Sequence, residues 1–195
     1  MICRSLESFV ATTRGAEVWD RVRQQARLPF DRFETMLTYR DADFVAVQHA
    51  AAEVLDRPVL TIMEDMGTWI CTHPPLEPVR RLFRFTGATF QDLLLSLDEI
   101  DARARLAVPD LHLPALDLEE LGEGEYLASS TWVVPGACAV LTGILRVLAD
   151  EYGALATIET TASSLSGNLW QETISIRLVD EAFHTPKAFQ LGAEA

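Results

Sequence analysis

Hydrophobic spacing changes period partway along this chain, and that change limits the folds open to it. Up to about residue 100 the apolar residues recur every three or four positions, as in Leu6, Phe9 and Val10, then Val18, Trp19 and Val22. Near the C-terminus the period falls to two. Trp170, Ile174, Ile176 and Leu178 alternate with Gln171, Thr173, Ser175 and Arg177, as expected of a strand with one buried face. The two regimes predict an α+β fold: a helical N-terminal lobe, then an antiparallel sheet with one long helix packed on it.

Punctuation places the elements. Asp41 or Asp43 caps a helix over 44–55, and Arg57-Pro58 closes it and opens the next, which carries Val59, Ile62 and Met66 and ends at Gly67. A loop at Thr72-His73-Pro74-Pro75 leads to a helix over 76–85. Thr89 with Asp92 forms a capping-box start for a helix whose face is Phe90, Leu93, Leu94, Leu97 and Ile100. Asp101 continues that face, so its carboxylate either meets water at a frayed end or is buried and needs a partner. Pro109 and Pro114 bracket an irregular stretch, and 117–125 reads as an acidic loop. A strand over 126–134, a turn at Pro135-Gly136, a helix over 137–152 stopped by Gly153, and strands over 155–161 and 170–179 complete the order.

Composition narrows the function classes. The 195 residues suit a single domain over 1–180, with a helical lobe to about 85, a second lobe from about 86, and a tail over 181–195. A net charge of −13 disfavours nucleic acid and anionic membrane as partners. Neither a signal peptide nor a membrane-length apolar run is expected, and Cys3, Cys71 and Cys138 fit reduced thiols in a cytoplasmic protein. His49, His73, His112 and His184 lack metal-ligand spacing. No nucleophile elbow surrounds Ser129-Ser130 or Ser163-Ser164, and Gly122-Glu123-Gly124 has the wrong charge to cradle phosphate. No enzyme is expected.

The order of elements, with Gly15, Val18-Trp19, Tyr39-Arg40-Asp41 and Met66-Gly67, resembles the heme-nitric oxide/oxygen binding (H-NOX) domain over residues 1–180. The most specific stretch is 90–114. Leu97-Asp98-Glu99-Ile100-Asp101 matches the family's "L-D-x-L-H" helix end at every position but the last, and Pro109 and Pro114 follow at the family's spacing without a gap. The resemblance therefore puts Asp101 where the family has its iron-ligating histidine, and Pro114 where a proline touches the porphyrin. The propionate-clamping strand motif "Y-x-S-x-R" finds its best match in Leu127-Ala128-Ser129-Ser130-Thr131, with Ser129 kept and Thr131 in place of arginine; shifted by one to start at Tyr126 it gives Tyr126, Ala128 and Ser130, again without arginine.

The resemblance implies a non-enzymatic sensor module acting on a separate protein, such as a histidine kinase or a cyclic-nucleotide or cyclic-dinucleotide enzyme. The degenerate pocket positions are Asp101, Leu97, Pro114, Ser129, Thr131 and His112. Aspartate offers iron a hard, short oxygen ligand instead of an imidazole nitrogen, and the propionates lose a bidentate guanidinium. A heme-free module is the expectation. The alternative is heme, another tetrapyrrole or an apolar small molecule held without the usual ligation, for which His112 is the substitute ligand.

Overall fold

The computed structural model describes residues 2–34, 37–76, 87–107 and 113–187. The helical lobe contains α1 (Ile2–Arg14), α2 (Ala16–Gln25), α3 (Asp41–Leu55) and α4 (Val59–Thr72). After it come α5 (Phe90–Leu95), a 3-10 turn over Leu97–Glu99, and α6 (Ile100–Ala107). The second lobe holds β1 (Ala115–Gly122), β2 (Glu125–Trp132), α7 (Ala137–Tyr152), β3 (Leu155–Ser166) and β4 (Leu169–Asp180). The strands form one antiparallel sheet in the order β1-β2-β4-β3. One face of that sheet, with Tyr126, Ala128, Ile158, Ile174 and Ile176 buried, packs beneath α7. The mixed fold is the one the two hydrophobic periods predict. A single apolar cluster runs from Leu6 in α1 to Ile176 in β4 and joins the two lobes.

The lobes meet where α4 crosses α7, and the crossing is backbone on backbone. A methyl group at Gly67 would stand 2.0 Å from the Val140 carbonyl oxygen, and one at Gly143 would stand 2.1 Å from that of Glu64. Gly67 therefore does not end its helix, as its sequence suggests. It lies inside α4, where the missing Cβ lets α7 approach. Arg146 reinforces the crossing, pairing with Glu64 and donating to the Ile158 carbonyl through Nη2 at 2.7 Å.

Two further expectations are corrected. The acidic stretch after Pro114 is an edge strand, because Leu116 and Leu118 point inward between Asp117 and Glu119, and the backbone pairs with β2 from Ala115 to Gly122. The helix expected to run unbroken from Phe90 to Asp101 is interrupted at Ser96, whose hydroxyl donates to the Leu93 carbonyl at 2.8 Å. That bond competes with the helical ladder and tightens the chain into the 3-10 turn. The expected helix over 76–85 falls almost wholly outside the described residues.

Local polar contacts fix the remaining joints. Buried Glu7 accepts the Phe33 N–H at 2.7 Å and pairs with Arg4, pinning the loop after α2. Tyr39 packs edge-on against Phe33 at 4.7 Å, and its hydroxyl accepts the Glu34 N–H. Beyond β4, residues up to 187 are tied to the end of α7. The His184 N–H donates to the Gly153 carbonyl and Lys187 Nζ to Asp150, whose carboxyl is held below its usual pKa mainly by that lysine.

Candidate ligand site at the sheet and its helix

Asp101 is the residue on which the expected site depends, and its surroundings begin with the cap of α5. The Thr89 hydroxyl accepts the Asp92 N–H at 3.1 Å, while Asp92 accepts the Thr89 and Ala88 N–H groups, a closed capping box. Those backbone donors, Thr89's first, hold the Asp92 carboxyl below its usual pKa. Thr89→Ala is expected to cost about 1 kcal/mol, read as a lower urea midpoint at constant slope.

From that start the chain buries Phe90, Leu93 and Leu94, turns at Ser96, buries Leu97 against β1, and enters α6. Asp101 lies in the first turn of α6, with its side chain 32% exposed and its carboxylate bonded to Arg105 at 2.9 Å and 3.2 Å. Both features suit an acid as a structural residue. A carboxylate near a helix N-terminus complements the helix dipole, and an acid four residues before a base is the favoured orientation of such a pair.

The other predicted site residues separate. Leu97 is in the core and Pro114 is half-buried just before β1. Ser129 and Thr131 alternate with buried Ala128 and Ser130, so they occupy the outer face of β2, opposite Thr173 and Gln171 of β4. The inward positions at this level are Ser130 and Trp132, and Trp132 stands across from Trp170. His112 and Pro109 lie outside the described residues.

The inner face also holds a polar group that sequence reasoning missed. Glu172 is 1% exposed and lies in register with Ser130 on β2 and Ser163 on β3. Its carboxylate accepts the Gly136 N–H at 2.9 Å, the Cys138 N–H at 3.0 Å and the Ser163 hydroxyl at 2.9 Å. Gly136, the N-cap of α7, has no side chain to cap with. Glu172 supplies the missing acceptor from the neighbouring strand. One signal was available: by alternation Glu172 falls between inward Trp170 and inward Ile174. Beside it, burial pushes the Cys138 thiol up to about 11, so this cysteine stays protonated and inert at neutral pH. From α3, Gln48 donates to the Pro135 carbonyl at 2.9 Å.

Asp101 is thus engaged with a neighbouring arginine, and β2 carries no arginine on either face. The described residues contain no group of three His, Cys, Asp or Glu side chains placed to hold a metal ion. His73 stacks on Trp69 at 4.5 Å, and Trp69 in turn packs edge-on against Phe9.

Fold and element order together define a haem-NO-binding domain. The model of that family, Haem-NO-binding (HNOB), matches residues 1–160, and the chain belongs to the family. Among solved structures it is similar to a point mutant of T. tengcongensis H-NOX, at 12% identity and a TM-score of 0.72 over 93% of this chain and 98% of that one. A Cs H-NOX mutant carrying the unnatural amino acid 4-cyano-L-phenylalanine gives 12% identity and 0.71, over 93% and 96%. An oxygen-binding H-NOX domain related to soluble guanylate cyclases gives 13% and 0.66, over 96% and 98%. No curated protein matches the sequence. No helix among the described residues is long and apolar enough to cross a membrane.

Proposed function

We infer that this chain is a non-enzymatic regulatory module of the haem-NO-binding family that does not hold heme through a side chain at position 101. It acts in the cytoplasm on a separate signalling protein, such as a histidine kinase or a cyclic-nucleotide or cyclic-dinucleotide enzyme. The observation that carries this reading is the Asp101–Arg105 pair on α6. It gives the residue at the ligand position a structural task that needs no iron. The outward Ser129 and Thr131 support the same reading, because neither lies on the face that meets α7.

The test is reconstitution of the purified protein with hemin. The expected result is no stoichiometric Soret band after desalting. A band that survives desalting at one heme per chain would overturn the reading, and an Asp101→Ala variant would then show whether the acid is its ligand.

A further inference from the structure

A second polar site lies at the far end of the sheet, where the β1–β2 turn, the end of β4 and the first turn of α5 come together. A surface notch of about 190 Å3 opens there, lined by Glu120, Glu123, Asp180 and Glu181, with Gln91 and Tyr126. Its lining includes four carboxylates and no lysine or arginine. Glu181 accepts the Gln91 backbone N–H at 2.9 Å and Asp180 accepts that of Ala182 at 2.9 Å, which leaves each a second oxygen. Glu120 and Glu123 make no ion pair with any described residue. The turn is held tightly, since a methyl on Gly124 would stand 2.7 Å from the Leu178 carbonyl oxygen.

The acidic lining alone would be an ordinary solvated patch. Tyr126 makes it a site. This residue is 1% exposed and lines the notch, and its hydroxyl makes no hydrogen bond of full geometry, its interaction with the Gln91 side chain being a weak one. A buried hydroxyl left unpaired costs free energy. Burial first, then the Glu120 and Glu181 carboxylates, push its pKa up, so both negative groups act on a protonated hydroxyl.

We propose that this notch binds an arginine side chain of a partner protein, with the Tyr126 hydroxyl oxygen and the surrounding carboxylates as acceptors. A guanidinium has five N–H donors in one plane and can serve the hydroxyl and two carboxylates together, whereas an ammonium is compact and strongly hydrated. The volume suits a side-chain head and falls below the usual range for drug-sized ligands. A bare metal ion lacks a ligand set among the described residues. A chain with a net charge of −13 also draws a basic partner by long-range attraction. The proposal goes beyond the heme question, because Asp101 does not line the notch.

The test is titration of the 15N-labelled full chain, without hemin and at low salt, with the peptide acetyl-Gly-Arg-Gly-amide. Saturating shifts are expected at the amides of Gln91, Gly124 and Glu181, and the citrulline peptide should leave them unmoved. Tyr126→Phe should weaken binding by about tenfold, as loss of a hydrogen bond to a charged group does. Its melting temperature should stay close to that of the parent chain, since the hydroxyl has only the weak Gln91 interaction to lose. Glu120→Gln, on the exposed edge strand, should weaken binding without unfolding the chain.

The proposal is overturned by equal binding of the citrulline peptide, by shifts elsewhere only, or by unchanged affinity in Tyr126→Phe. Agmatine binding ten times tighter than the peptide would assign the notch to a free cation and overturn the protein partner. Peptide binding and hemin binding are read separately, so either reading can fail alone.

Discussion

Replacing Glu172 with alanine is expected to destabilise the protein by about 4 kcal/mol, because two buried donors lose their acceptor at about 1–3 kcal/mol each. The donors are the Gly136 and Cys138 N–H groups, while the Ser163 hydroxyl lies on an exposed residue and can turn to water. Both buried donors belong to the first turn of α7, where water cannot take over without opening the helix from the sheet. Glu172→Gln should fall between the alanine variant and the parent chain. The amide keeps one acceptor oxygen but turns an NH2 group towards a backbone or hydroxyl donor. Chemical denaturation of the three proteins measures the order. Equal stability of Glu172→Ala and the parent would mean that the α7 N-terminus is capped by another group.

The α4–α7 crossing gives the second large effect. Gly143→Ala and Gly67→Ala each put a methyl group 2.0–2.1 Å from a carbonyl oxygen of the other helix, so the helices must separate. Overpacking of this kind costs about 3 kcal/mol or a little more, since the obstruction is backbone and has no rotamer to escape into. Gly122→Ala is the control. It has open space around its would-be Cβ and no left-handed backbone, so it should stay within about 0.5 kcal/mol of the parent. A Gly143→Ala variant with an unchanged denaturation midpoint would contradict the close crossing.

These two contacts show where the sequence is legible and where it is not. The bounds of α7 agree with expectation because Pro135-Gly136 and Gly153 mark them locally, with Gly136 at φ 95° and Gly153 at φ 81°. Gly67 carries the same local mark but answers to a helix more than 70 residues away, so spacing alone mistakes it for a stop. The partners of Glu172 lie 34 and 36 residues back along the chain, and no local pattern encodes them. At α5 the apolar spacing continues smoothly through Leu97 and Ile100, which hides the break at Ser96.

For the candidate site the sequence supplies positions: the structure puts Asp101 in the first turn of α6 and Pro114 just before β1. On β2 the motif can be read in two registers, through Ser129 or, shifted by one to start at Tyr126, through Ser130, and of the two serines Ser130 is the buried one.

The placing of β1 at the sheet margin has a consequence for how copies of this chain meet one another. An unpaired strand offers its free N–H and C=O groups to any second strand that approaches. Along β1 the approach is through Asp117, Glu119 and Glu120, with Glu123 at the turn, all exposed. Two such margins brought edge to edge would stack like charges directly opposite each other, which strand pairing does not tolerate. The acidity that hides this strand from a reader of the sequence also opposes the pairing of β1 with the β1 of a second copy.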